Sequence, residues 1–182
     1  REEMLTSHLP SLAKLNAHLL ERGWQDYFYL YFFDEPAIWE IDALKKQMLL
    51  IQEWAPNIRQ LYTYGTNRSG EKKLRGLAGI WVPNIHQYNP RFARERQEAG
   101  DEYWIYTCIG NVHRGYPDNF RIDWYGASHR ALGWWLFKNN IDGYLYWGLD
   151  YWRIDPWTNA ETYPWANGDG SMFYPDPDKK AL

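Results

Sequence analysis

The sequence predicts an α/β fold, and three observations support this. Helical and strand patterns alternate along the 182 residues, and βα alternation gives a parallel sheet with right-handed crossovers. Five strands can be counted, and aromatic or charged residues follow their ends. We therefore predict the C-terminal five strands of a (β/α)8, TIM-type barrel, incomplete because a full barrel needs eight strands and about 250 residues. A five-stranded open doubly wound sheet is the alternative.

The first elements are predicted as helix, strand and helix. Leucines at helical spacing over residues 5–21 predict a helix ending near Arg22, because a glycine follows at the usual stop position. The aromatic run 27–33 predicts a buried strand, apolar on both faces. Pro36 can open the next helix, which stops before Pro56. The apolar stripe of that helix consists of Ile38, Ile41, Leu44, Met48 and Ile51.

The later elements are read in the same way. They are strands over 59–64 and 77–82, a helix over about 91–99, a strand over 102–109, a helix from Ala127 to near Asn140, and a strand over 143–148. Residues 110–123 form a loop of the length that usually carries function. From about residue 153 the tail is predicted to be irregular. Residues 1–182 are thus expected to form a single partial barrel domain.

Composition and charge limit the classes of partner that the protein is expected to bind. Trp, Tyr and Phe supply 12, 15 and 7 residues, and the net charge is −3 with both signs interspersed. Interspersed charge argues against a nucleic-acid or anionic membrane surface. No apolar run approaches the roughly 18 residues of a membrane span. Aromatic rings offer an apolar face with a polar handle, so a carbohydrate partner fits better, although core packing is the commoner use of such rings.

Metal and cofactor sites are not predicted. Cys108 is the only cysteine, which excludes an internal disulfide and any cysteine-built metal site. His86, His113 and His129 lack ligand spacing to one another or to a carboxylate. The turn after the first strand holds acids instead of the glycines of a nucleotide site.

The carboxylates Asp34 and Glu35 directly follow the first predicted strand. Ligands of such folds bind at the carboxyl ends of strands. Desolvation raises a carboxyl pKa there, and repulsion separates the two pKa values. One neutral acid beside one anion is the division of labour that glycoside cleavage requires. The alternative is that one of the two acids caps the helix that begins at Pro36.

A second acid is missing from the end of the strand 102–109, where the residues are Thr107, Cys108, Ile109 and Gly110. Retaining glycosidases with two separate carboxylates would normally offer one at another strand end. Its absence favours substrate assistance, in which the 2-acetamido oxygen of the sugar attacks the anomeric carbon. One carboxylate then orients the acetamido group, and the other protonates the leaving group.

Five ordered blocks of sequence resemble glycoside hydrolase family 123. They are Tyr31 to Pro36, Trp104 to Cys108, Tyr116 to Asp123, Asp142 to Gly148 and Asn167 to Gly170. The resemblance implies a (β/α) barrel flanked by β-sandwich modules, and a retaining, exo-acting β-N-acetylgalactosaminidase that uses substrate assistance without a metal. By resemblance, Asp34 polarises the 2-acetamido group and Glu35 is the general acid/base. It also implies a secreted or periplasmic protein.

The chain departs from this family pattern in two ways. The three barrel strands expected before residue 1 are absent, so the rest of the parent protein or another chain must supply them. Asp150 stands where the family motif often has Asn. The first departure bears on activity of the isolated chain, and the second on substrate detail.

Sugar-binding residues are predicted at or just beyond the strand ends. They are Trp81, Tyr106, Tyr116, Trp147, Asp150 and Trp152. Core packing is the alternative for each ring, because a one-residue slip in a strand reverses the face that a side chain serves. Asp169 lies between two glycines, which predicts a turn, with a sugar-hydroxyl ligand as the alternative.

Two other functions remain open at this stage. One is a glycosidase of the same fold acting on a different sugar, on a glycan or glycolipid. The other is a non-catalytic carbohydrate-binding fragment, which the missing strands favour.

Overall fold

Short aromatic strands alternate with amphipathic helices in the computed structural model, which describes residues 2–64, 68–108, 117, 119–163, 166–176 and 178. The α-helices of the described residues are α1 (Glu2–Arg22), α2 (Ile41–Trp54), α3 (Gly70–Lys73), α4 (Pro90–Glu98) and α5 (Gly126–Lys138). The strands are β1 (Tyr29–Tyr31), β2 (Arg59–Tyr64), β3 (Ile80–Pro83), β4 (Glu102–Thr107), β5 (Gly143–Tyr146), β6 (Glu161–Tyr163) and β7 (Ala166–Asn167).

The first five strands pair in chain order, β1-β2-β3-β4-β5, and every pairing is parallel. This confirms the predicted α/β fold with five parallel strands. Completion of an eight-stranded barrel stays a prediction. None of the described helices is long and apolar enough to cross a bilayer.

Two compact units make up the chain. The first contains residues 1–83 and 91–103, and the second contains residues 84–90 and 104–182. Strand β4 begins in the first unit and continues in the second. A single barrel domain over residues 1–182 stays a prediction.

The core of the first unit forms where α1 and α2 pack together. Leu9 contacts Ile51, and Leu19 packs with Ala55 and Ile58. The helix α1 ends at Arg22, as predicted, and Gly23 follows with φ of 66°. A positive φ suits glycine because it has no Cβ to clash.

The start of α2 was predicted too early. Pro36 does not open it; a short 3₁₀ helix, Ile38–Glu40, precedes α2, which begins at Ile41. The carboxylate of Glu40 accepts the N–H of Ala37 at 2.9 Å and thereby closes the 3₁₀ turn. Ile38 is 60% exposed and does not belong to the apolar stripe, whereas the other four predicted stripe residues are buried.

The first predicted strand is also different from expectation. Only Tyr29–Tyr31 forms β1, and both tyrosines are exposed, so the expectation of a strand buried on both faces is wrong here. Its one neighbour among the described strands is β2. An edge strand is covered less than a central one. The expected burial is found instead in β2 and β3, where nearly every residue is buried.

The second unit has its own core beneath α5. Ile85, Ile105 and Leu132 are buried together, with Phe120 and Tyr144 packed against them. The predicted irregular tail contains an antiparallel pair, β6 with β7, followed by a turn through Gly168 and Gly170. Most of the predicted functional loop 110–123 lies outside the described residues.

Candidate active site

Asp34 and Glu35 lie just after β1 in the first unit, and two neighbouring hydroxyls fix their positions. The phenol of Tyr31 donates a 2.5 Å hydrogen bond to Oδ1 of Asp34. The same hydroxyl lies 3.1 Å from Oγ1 of Thr63 on β2. Because Tyr31 pairs with Leu61 in the parallel register, Thr63 falls two residues further along β2, beside the carboxylates.

Thr63 is the centre of this arrangement. It is 2% exposed, and its Oγ1 accepts the backbone N–H of Glu35 at 3.0 Å. The same oxygen lies 3.5 Å from Oδ1 of Asp34. The buried hydroxyl of Thr63 therefore contacts both acidic residues and fixes their position just after β1.

Glu35 has an unusual backbone conformation, with φ of 40°. A non-glycine residue in this region carries strain of about 1–3 kcal/mol, and such residues concentrate at functional sites. The hydrogen bond from its N–H to Thr63 holds the strained residue in place. The strain is consistent with a side chain that is placed for chemistry.

The surroundings of Glu35 favour the protonated form of its carboxyl. Partial desolvation, followed by the negative charge of Asp34, raises the pKa of Glu35. Burial, with the hydrogen bond to Asp34 as the next cause, raises the pKa of Tyr31 far above its usual value, so this phenol stays a proton donor. Glu35 thus holds its proton to higher pH than an ordinary glutamic acid, as a general acid must.

The capping alternative for this pair is wrong. Ala37 takes the N-cap position of the 3₁₀ helix and Glu40 that of α2. Neither Asp34 nor Glu35 occupies a cap position. Neither carboxylate is therefore used for helix capping.

Trp81, also in the first unit, is fully buried. Its indole packs edge-on against Tyr62 and Phe92, with ring centroids 5.8 and 5.1 Å away, and its Nε1 donates to Asp101 at 2.9 Å. These contacts are those of a core residue, so they favour the packing alternative for this ring.

Tyr106 lies in the second unit, on β4, and is 4% exposed. Among the described residues its hydroxyl has no hydrogen-bond partner. A buried hydroxyl without a partner is costly, and a sugar hydroxyl or acetamido oxygen is a suitable partner for it. Tyr116, the other predicted hydroxyl donor, lies outside the described residues.

Trp147 follows β5 and is half-buried. Its Nε1 donates to Oδ1 of Asp169 at 3.0 Å, and its ring packs edge-on against Tyr151 at 4.8 Å. Asp150 is exposed and forms a backbone bridge with Ser171. Trp147 and Asp150 therefore lie at the end of β5, as predicted.

Trp152 lines a cavity of about 590 Å³ in the tail of the second unit. Its Nε1 donates to the carbonyl of Phe173, and Nε1 of Trp157 donates to the carbonyl of Pro175. Arg153 and Asp155 supply charged groups to the same cavity. These hydrogen bonds fix the orientation of both indoles. Fixed indoles with charged groups nearby can bind a sugar ring, which has apolar faces and a polar edge.

Asp169 was predicted to form a turn, and the turn is confirmed. However, its carboxylate is fully buried and accepts hydrogen bonds from Asn119, Tyr146 and Trp147. Sequence reasoning missed this network, and it also missed Tyr31 and Thr63. The only available signals were a polar residue inside each of two aromatic strands and an acid between two glycines.

No group of three or more His, Cys, Asp or Glu residues in the described part of the chain has the geometry of a metal site. Cys108 is half-buried, and Nδ2 of Asn84 lies 3.6 Å from its sulfur. His113, one of the histidines considered above, is outside the described residues.

Comparison with known proteins identifies the family to which the chain belongs. The model of the glycoside hydrolase 123 catalytic domain matches residues 2–182. The chain belongs to glycoside hydrolase family 123. Among solved structures, it is similar to a family 123 glycoside hydrolase from Clostridium perfringens, studied for glycolipid glycan hydrolysis, with a TM-score of 0.68 and 20% identity. The alignment covers 97% of this chain and 30% of that one. No curated protein matches.

At this identity the structural likeness supports the fold of the family 123 catalytic domain. The chain spans 30% of the length of that relative, so activity and substrate are matters of proposal.

Proposed function

We propose that this family 123 chain is the catalytic part of a retaining, exo-acting β-N-acetylgalactosaminidase that works by substrate assistance. The observation that carries the proposal is the adjacent pair of acids, in which the pKa of Glu35 is raised beside Asp34. A carboxyl whose protonated form is favoured, beside a second carboxyl, matches the two roles that the reaction needs.

In the first step, the 2-acetamido oxygen attacks C1 of the sugar and the bond from C1 to the leaving oxygen breaks. Glu35 gives its proton to that oxygen. Asp34 accepts the acetamido N–H and stabilises the positive charge of the cyclic intermediate. The hydrogen bond from Tyr31 keeps one oxygen of Asp34 occupied and directs the other to the substrate.

In the second step, Glu35 removes a proton from water, and the water oxygen attacks C1 on the face that the leaving group vacated. The C1 bond to the acetamido oxygen breaks, and the acetamido group is restored. Two inversions give net retention. Both steps need only the two carboxylates of this chain, the substrate and water.

Sugar binding is proposed for Tyr106, Trp147, Asp150 and Trp152 of the second unit, and for Tyr116. The orphaned hydroxyl of Tyr106 and the pinned indoles of Trp147 and Trp152 support this proposal. Trp81 is not included in this proposal, because its ring is fully buried. The substrate class would be a glycan or the glycan of a glycolipid, in keeping with the topic of the Clostridium perfringens structure.

The remaining barrel strands are proposed to come from the rest of the parent protein or from another chain. Strand β1 supports this proposal, because β2 is its one neighbour among the described strands. Pairing there would also cover the aromatic residues that β1 exposes.

The decisive experiment compares hydrolysis of an aryl 2-acetamido-2-deoxy-β-galactoside with that of the plain aryl β-galactoside, using the complete parent protein. Cleavage of the acetamido substrate alone, abolished by Glu35→Gln, is the expected result. Equal cleavage of both substrates would support a glycosidase of the same fold with another sugar preference. Sugar binding without any product would support a non-catalytic carbohydrate-binding protein.

A further inference from the structure

The carboxylate of Asp169 gathers three hydrogen-bond donors on one oxygen. Oδ1 accepts Nδ2 of Asn119 at 2.6 Å, the hydroxyl of Tyr146 at 2.9 Å and Nε1 of Trp147 at 3.0 Å. Burial, the largest cause, raises the pKa of Tyr146 far above its usual value, so its phenol remains a donor. An ionised carboxylate is an acceptor only, and therefore matches this set of neutral donors.

The burial of Asp169 is energetically unfavourable for a residue whose only role is to form a turn. It is 0% exposed, and its second oxygen, Oδ2, is buried without a partner among the described residues. No salt bridge of the described residues involves it. Burying a carboxylate without a cation costs free energy unless strong hydrogen bonds compensate. A turn between two glycines has no need of such a group.

The network reaches from the tail to the ends of two strands. Asn119 also accepts the hydroxyl of Thr107, the last residue of β4, at 3.1 Å. Tyr146 is the last residue of β5 and accepts the N–H of Gly170 at 2.8 Å. The buried carboxylate thus connects the end of β5 with the turn that contains Asp169 itself.

Trp147 contacts both Asp169 and Gly170, in addition to the ring of Tyr151. Its indole N–H is bound to Asp169, and Gly170 lies against its ring. A Cβ at position 170 would fall 2.4 Å from Cζ2 of the indole. A ring that is hydrogen-bonded at its N–H and in contact with the backbone of Gly170 keeps one orientation, which lowers the entropy lost when a sugar stacks on it.

We propose that Asp169 is a positioning residue that holds Trp147 in the orientation in which its ring binds the sugar. This inference rests on the proposed function, because it assumes that Trp147 contacts the substrate. It assigns Asp169 no contact with the sugar, in contrast to the hydroxyl-ligand role considered from the sequence.

The first test is the variant Asp169→Asn in the complete protein. The amide keeps an oxygen at the same place but binds the three donors more weakly. We expect KM for the aryl 2-acetamido-2-deoxy-β-galactoside to rise on the order of tenfold, the factor that corresponds to one lost charged hydrogen bond. We expect kcat to change by less than about twofold, since the binding of the ground state and the transition state is lost together. Equal falls in kcat with an unchanged KM would overturn the proposal.

A double-mutant cycle with Trp147→Ala separates positioning from general stability. If Asp169 acts through the indole, Asp169→Asn should change KM by less than about twofold once Trp147 is absent. A tenfold effect in both backgrounds would show that Asp169 acts without Trp147. Asp123→Asn is the matched control, since exposed Asp123 also accepts an amide, Nδ2 of Asn167 at 3.0 Å; it should leave KM unchanged.

Calorimetric titration with N-acetylgalactosamine distinguishes failure of this inference from failure of the proposed function. Binding by the wild type without hydrolysis of any aryl glycoside would overturn the proposed reaction, while weaker binding by Asp169→Asn would still support the positioning role. Equal affinity of the two proteins would overturn the positioning role alone. Absence of both binding and hydrolysis in the wild type would overturn both proposals.

Discussion

Tyr31 donates a 2.5 Å hydrogen bond to Asp34, three residues further along the chain. This contact ties the end of the edge strand β1 to the first of the two acids. It also explains why an aromatic residue with a hydroxyl is needed at that position. A phenylalanine would fill the same space and leave Oδ1 of Asp34 with the longer contact to the hydroxyl of Thr63, at 3.5 Å.

The first prediction concerns Tyr31→Phe. Loss of a hydrogen bond to a charged group costs about 1.5–3 kcal/mol, and we expect kcat for the acetamido substrate to fall about tenfold or more. The hydroxyl is partly buried between Asp34 and Thr63, so the melting temperature should fall as well. Steady-state kinetics beside thermal unfolding would check both statements. An unchanged kcat would remove Tyr31 from the catalytic arrangement.

The second prediction concerns the pKa of Glu35. The negative charge of Asp34 is one of the two causes that raise it, so Asp34→Asn should lower the pKa of Glu35. Because the general acid must be protonated, the alkaline limb of the pH–rate profile should move to lower pH in this variant. Carbon-detected NMR titration of the Glu35 carboxyl measures the shift directly. A pKa that stays in place or rises would contradict the coupling.

The third prediction concerns Thr63→Val. The change keeps the shape but removes the oxygen that accepts the N–H of Glu35. We expect the free energy of unfolding to fall by about 1–3 kcal/mol, the cost of one orphaned donor, together with a lower kcat. Thr63→Ser should restore most of both. Urea denaturation and kinetics of the two variants test this, and equal behaviour of valine and serine would argue against a hydrogen-bonding role.

The fourth prediction separates packing from sugar binding at Trp81. Because this ring is fully buried among other aromatics, Trp81→Ala should destabilise the protein by about 3–5 kcal/mol. Trp81→Phe keeps a ring and should be milder, with KM unchanged. A large rise in KM for a well-folded Trp81→Phe variant would instead return Trp81 to the binding site.

The fifth prediction uses two glycines with nearly equal backbone angles. Gly170 has φ of 77° and lies against Trp147, whereas Gly76 has φ of 75° and open space around it. Alanine at either position should cost about 1–2 kcal/mol of stability from the left-handed conformation, and at position 170 the clash of the new Cβ with the indole adds to that cost. Only Gly170→Ala should also displace the indole and raise KM. If both variants raise KM alike, the contact between Gly170 and Trp147 has no role in binding.

The sequence was sufficient for much of the fold, because helix periodicity and stop signals are local. The end of α1, the apolar stripe of α2 and the bounds of β2 follow from patterns within one segment. The exposure of β1 does not, because it depends on which strand lies beside it. An aromatic run gives the same sequence pattern at the edge of a sheet and at its centre, so the pattern does not predict burial.

The same distinction applies to the candidate site. Asp34 and Glu35 could be found because two charges follow an aromatic strand. Thr63 could not, since its partner Glu35 is 28 residues away in the sequence and only the parallel register brings them together. Asp169 was read correctly as a turn, but its hydrogen-bond partner Asn119 is 50 residues away in the sequence.

The parallel pairing of β1 with β2 also predicts an order of steps during folding. The contact between Tyr31 and Asp34 needs only a short stretch of chain, but the bonds to Thr63 need closure of a loop that includes all of α2, and loop closure costs entropy before it is repaid. During refolding, circular dichroism reports the helices, whereas recovery of the proposed glycoside cleavage reports the docking of β1 beside β2.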